Sequence, residues 1–154
     1  MEKRESYVRM KAGGVVMKAS KRLKALFGLT LLTLCLPWFT YNARVMGYRY
    51  GFAFLKWFLV PLAILALCLY WPKRSRILIV LGEAAHIANF TAIFTALGLW
   101  QQVCNIKSGF HLLEGIRAAQ PGYWMAVGFF VIFFVCFQIE LIKDAAKPAQ
   151  KAFD

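Results

Sequence analysis

The chain has 154 residues, of which 60% are hydrophobic, 16% aromatic and only 17% charged, where an ordinary soluble domain is about 45–50% apolar and about 25% charged. The apolar excess lies in four blocks, Ala25–Tyr41, Gly51–Trp71, Ile77–Trp100 and Gly122–Ile142, and the longest piece outside them, Met1–Lys24, is too short for a soluble catalytic domain. A helix needs roughly 20 residues to cross about 30 Å of hydrocarbon. Blocks of 17, 21, 24 and 21 residues therefore predict an all-α, polytopic membrane protein: a compact four-transmembrane-helix bundle over residues 25–142. A basic segment, residues 1–24, precedes it and a tail, residues 143–154, follows.

Charge placement predicts the orientation. Met1–Lys24 carries eight basic residues, among them Lys18, Lys21, Arg22 and Lys24, against two acids. The connection Pro72–Arg76 adds Lys73, Arg74 and Arg76, and the tail adds Lys143, Lys147 and Lys151. Four crossings put these three pieces on one side, leaving Arg44, Arg49, Lys107 and Arg117 on the other. Basic connections are retained in the cytoplasm, so both termini are expected inside, in a multi-pass protein of a bacterial cytoplasmic (inner) membrane. The net charge of +12 is then mostly a topology signal, and Lys18, Lys21, Arg22, Lys24, Lys73, Arg74 and Arg76 are expected to contact anionic lipid headgroups or an acidic partner. A nucleic-acid partner is not expected, because no aromatic stripe interleaves the basic run.

Taken in order, the first block opens after Lys24 and meets Pro37, which favours a stop or bend near its end. The basic leader before it also fits a signal sequence; a signal anchor or first helix is the expected reading. Trp38 and Tyr41 suit a headgroup belt, and the short connection Asn42–Tyr50 is expected on the membrane surface. The second block holds Pro61 near its middle, where a kink is expected. Its Lys56 is expected to snorkel to the interface rather than to line an ion path, and Tyr70 and Trp71 close the block.

The third block is the most informative. Ala84, Ala88, Ala92 and Ala96 recur every four residues, a ridge that lets helix backbones approach closely. This helix is therefore expected at the packing centre. Glu83, His86 and Asn89, each three residues after the last, share another face. In the following connection, Phe110, Leu112, Leu113 and Ile116 interleave with His111, Glu114 and Arg117, as in a short amphipathic helix lying on the bilayer. The fourth block distributes its phenylalanines around the helix, with Gln138 and Glu140 near its far end.

Ionisable groups inside a membrane are costly and tend to mark ion routes, proton relays or ligand contacts. Glu83, His86 and Asn89 form the candidate intramembrane polar site. The spacing permits a Glu83–His86 hydrogen bond, and the triplet then reads either as a proton- or cation-handling site or as an interhelical clamp. The clamp is the favoured reading, since one acid and one histidine make a thin pathway. Glu-x-x-His occurs once, whereas di-iron bundles use it twice with further glutamates, so no metal and no cofactor are expected. Cys35 and Cys104 both fall near the outer face and form a candidate disulfide. No nucleophile triad, phosphate-binding glycine loop or pair of catalytic carboxylates occurs, so catalytic residues are not expected. These features predict a non-enzymatic membrane subunit or scaffold of a larger complex serving secretion, transport or energy coupling. Its partners would be the lipid bilayer and other membrane subunits in a homo- or hetero-oligomer. The alternative is a small homo-oligomeric transporter or channel using Glu83 and His86.

Overall fold

A computed structural model describes residues 20–41, 47–71, 76–103 and 108–150 of the chain. Helix α1 spans Lys21–Leu32 and continues as a 3-10 turn, Thr33–Cys35. Strand β1, Pro37–Tyr41, and strand β2, Gly47–Tyr50, follow as an antiparallel hairpin. A second 3-10 turn, Gly51–Phe54, leads into α2, Leu55–Tyr70. Helix α3 is Arg76–Val103, α4 is the seven-residue Leu112–Ala118, and α5 is Pro121–Gln150.

The chain is thus mostly helical, and three stretches are long and apolar enough to cross a membrane: Gly51–Tyr70, Ile77–Val103 and Pro121–Lys143. This is the composition of an integral membrane protein.

The first block departs from the expected continuous helix, and the wholly α-helical expectation gives way to helices plus one hairpin. Ser20 starts α1 by accepting a hydrogen bond from the Leu23 amide, 3.2 Å, on its hydroxyl, which satisfies one donor of the first turn. Leu36 precedes Pro37 and adopts extended backbone, φ −84° and ψ 154°, as the steric clash with a following proline ring demands. The helix therefore stops after twelve residues. Thr30 near its end and Thr33 in the following 3-10 turn are buried, and their hydroxyls donate back to the carbonyls of Leu26 and Thr30. Such back-bonding keeps a hydroxyl satisfied where no water reaches.

The long elements run alongside one another in alternating directions. The Ser20 amide donates to Glu140 at 3.3 Å, the Phe27 and Phe133 rings sit 5.6 Å apart, and Gly122 abuts Leu36 and Pro37. Successive positions along this first segment thus meet successively earlier positions of α5. At the same end as Ser20, the Lys24 ammonium lies 4.7 Å from the Tyr70 ring centre and the Cys68 thiol donates to the Leu78 carbonyl at 3.1 Å.

The opposite end is closed by the hairpin. Trp38 and Phe39 are fully buried, with Trp38 stacked on Phe54 and edge-on to Phe58 and Tyr123, and Phe39 stacked on Trp100. The Trp38 indole donates to the Thr33 carbonyl at 2.9 Å. Trp38 is therefore a core residue and not the headgroup-facing ring expected from sequence: the bulge between Pro37 and Phe39 turns both aromatic side chains inward. Helix α4 lies close against α3, because Gly115 brings its backbone onto the Leu97 carbonyl, where any Cβ would collide. Leu112, Leu113 and Ile116 point outward beside Phe110, the exposed apolar stripe expected of this segment. Helix α2 runs through Pro61 without interruption, and Lys56 at its second position is exposed.

Candidate functional site

The buried stripe of α3 comprises Gly82, Ala85, His86, Asn89, Ala92, Ile93, Ala96, Leu97 and Trp100, the three- and four-residue spacing of one helix face. The alanine ridge only partly coincides with it. Ala92 and Ala96 are buried, whereas Ala84 and Ala88 are exposed. A strict four-residue repeat advances about 40° per step on a helix of 3.6 residues per turn, so the ridge enters the core at one end of α3 and leaves it at the other. The buried face of α3 thus holds His86, Asn89 and half of the ridge.

Glu83 is half-buried and reaches across to α5. The Gln138 side-chain amide donates to both of its carboxylate oxygens, at 2.7 Å each. The hydrogen bond expected between Glu83 and His86 is not formed, because Gln138 takes both carboxylate oxygens and phenyl rings surround the imidazole. His86 is 1% exposed, with the rings of Phe133, Phe134 and Phe137 centred 5.1, 5.2 and 5.0 Å from its own. Asn89, one turn further on, is 0% exposed. Both ring nitrogens of His86 and both amide atoms of Asn89 are without a hydrogen-bond partner among the described residues. The structure thus puts all three predicted residues on one side of α3 but divides them into a paired carboxylate and two side chains without hydrogen-bond partners among the described residues.

Two further polar contacts tie the other end. The Gln101 amide donates to the Glu114 carboxylate, fastening α4 to α3, and the Tyr123 hydroxyl donates to the Ile93 carbonyl at 3.1 Å. Sequence reasoning placed Gln138 near the end of its block without assigning it a partner. Its only signal was an amide within an apolar helix, where such groups bond across helices.

The face of α3 turned away from the core carries Ala84, Ala88 and Thr91, all exposed. Beside them lies an open apolar groove of about 420 Å³ lined by Ile87, Phe90, Thr91, Phe94, Thr95 and Phe110. Thr91 spends its hydroxyl on the Ile87 carbonyl at 3.0 Å. Among the described residues no three histidine, cysteine, aspartate or glutamate side chains gather as a metal site would require. Cys35 is exposed and carries a free thiol; Cys104, its expected disulfide partner, lies outside the described residues. Of the expected headgroup contacts, Lys21 and Arg22 are exposed and Lys24 is half-buried. Lys18, Lys73 and Arg74 lie outside the described residues, and Arg76 opens α3.

No family model matches this chain, and neither a curated protein nor a solved structure matches it.

Proposed function

We propose that the chain is a non-enzymatic integral membrane subunit that crosses the bilayer four times with both termini inside, and that it contributes packing surface to a larger complex for secretion, transport or energy coupling. The observation that carries this reading is the open face of α3. Ala84 and Ala88 lie exposed within a stretch hydrophobic enough to span a membrane, flanked by Ile87 and Phe94 at 68% and 62% exposure. Small residues between large ones form a notch into which the backbone of another helix fits, and helices in lipid associate by such close packing. The occupant is a transmembrane helix of another subunit. Lys21 and Arg22, exposed at the start of α1, are placed to meet anionic headgroups.

The four-crossing topology draws support from the pairing of α1 with α5. Ser20 is level with Glu140 and Leu36 with Gly122, so the first segment covers the same depth as the last helix. The placement of basic residues supports both termini lying inside.

The test is purification from native membranes in mild detergent, comparing wild type with Ala88→Leu. The wild type is expected to run with partner chains, and Ala88→Leu to lose them with helical content and melting temperature unchanged. A lone monodisperse monomer would count against the proposal. A second reading, a small homo-oligomeric transporter or channel, is favoured by the unpaired His86 and Asn89. Glu83→Gln and His86→Ala separate the two: lost transport with intact assembly supports the second reading, and lost assembly supports the clamp.

A further inference from the structure

Four hydrogen-bonding atoms without partners among the described residues, the two ring nitrogens of His86 and the amide oxygen and nitrogen of Asn89, lie one helical turn apart on the buried face of α3. We infer that His86 and Asn89 together bind a water molecule, which bridges the two side chains at the centre of the apolar core.

Three observations converge on water. The first is the complement of groups. A neutral imidazole offers one donor and one acceptor, and a carboxamide offers two donors and an acceptor oxygen. Water makes about three hydrogen bonds, to groups that would otherwise be unsatisfied. The second is distance. Side chains three apart on a helix have Cβ atoms about 5–6 Å apart. No direct bond forms between His86 and Asn89, and two hydrogen bonds of about 2.8 Å meeting at one oxygen are the shortest bridge between polar groups on adjacent turns.

The third is confinement. Phe133, Phe134 and Phe137 press on the imidazole with centroids 5.0–5.2 Å away. They supply no hydrogen-bonding atom. Glu83 does not compete for the site, because Gln138 holds both of its oxygens. The inference is independent of what docks on the open face of α3. It would give the transport reading its innermost hydrated point, and it holds equally in a purely structural subunit.

The chain has only two histidines, which makes the test direct. Protein labelled with ¹⁵N-histidine is reconstituted in lipid bilayers, and magnetisation transfer from mobile water to the ring nitrogens is followed by solid-state NMR. The variant H111Q assigns the two signals. His111, half-buried in the connection before α4, is the internal standard for contact with water. Transfer is expected at both rings in the wild type. In Asn89→Leu, which keeps the volume and removes the polar atoms, transfer at His86 is expected to fall about tenfold, the change that follows from losing roughly one net hydrogen bond. Transfer at His111 should be unchanged. A silent His86 beside a responsive His111 in the wild type would overturn the inference without any variant. Undiminished transfer at His86 in Asn89→Leu would overturn it too. If Asn89→Leu fails to fold, Asn89→Val is read in the same way.

Discussion

Replacing Gln138 by leucine removes the only donor that the described structure offers to the half-buried Glu83 carboxylate. Two contacts of 2.7 Å are lost at once. In water-soluble proteins each hydrogen bond to a charged group contributes about 1.5–3 kcal/mol, but interhelical polar contacts in membranes average about 0.6 kcal/mol and reach about 1.7. Glu83 is only half-buried, so the membrane range applies, and Gln138→Leu should destabilise the protein by about 1–2 kcal/mol. Glu83→Leu should cost a similar amount, because it strands the Gln138 amide. The double variant should cost less than the two single ones together, since removing both partners leaves nothing unsatisfied. A coupling of about 1 kcal/mol is expected. Reversible unfolding in mixed detergent micelles, followed by far-ultraviolet circular dichroism, measures all four corners of this cycle. Single effects that add within about 0.3 kcal/mol would show that the two side chains do not act as a pair, and the interhelical clamp would have to be given up.

Other perturbations probe the remaining contacts. Gly115→Val should dislodge α4 from α3, because its Cβ would fall on the Leu97 carbonyl; the expected cost is about 1–3 kcal/mol, read as a lower melting temperature together with protease sensitivity confined to the connection before α5. Trp38→Ala should cost about 3–5 kcal/mol, a far larger loss than Tyr70→Ala at a 60% exposed ring; equal losses would refute the inward placement of Trp38.

Which parts of this arrangement were legible in the sequence follows from the kind of signal each leaves. The three long helices announced themselves by length and hydropathy, because covering hydrocarbon requires an unbroken apolar run. Pro37–Tyr41 is equally apolar, and a short apolar run reads the same as helix or strand; pairing with Gly47–Tyr50 decides it, and that is a tertiary fact. The alanine ridge was visible as a repeat, but its drift out of the core depends on where α2 and α5 sit. Glu83, His86 and Asn89 stood out as polar residues in a span, and the burial of the last two is what such isolation implies. That Gln138 faces Glu83 depends on the register between α3 and α5, which no local pattern encodes. The Gln101–Glu114 contact escaped notice for the same reason.

The mixed backbone of residues 20–38 bears directly on whether that segment can serve as a fourth crossing. Twelve helical residues rise only about 18 Å. The 3-10 turn Thr33–Cys35 adds about 2 Å per residue, and extended backbone at Leu36 and Pro37 adds about 3.3 Å per residue. Together these give about 30 Å, comparable with the roughly 27 Å that α5 rises between Gly122 and Glu140 at 1.5 Å per residue. Non-helical backbone is tolerated at membrane depth only where protein satisfies its polar groups. Here the Thr33 carbonyl accepts from the Leu36 amide and the Trp38 indole, the Leu36 carbonyl accepts from the Gly51 amide, and the Trp38 carbonyl accepts from the Gln120 amide. In the proposed four-crossing topology, a stretch too short as a pure helix would reach the required length by unwinding where neighbouring segments meet its backbone. That is why the hairpin, Gly51 and Gln120 converge on this one point of the fold.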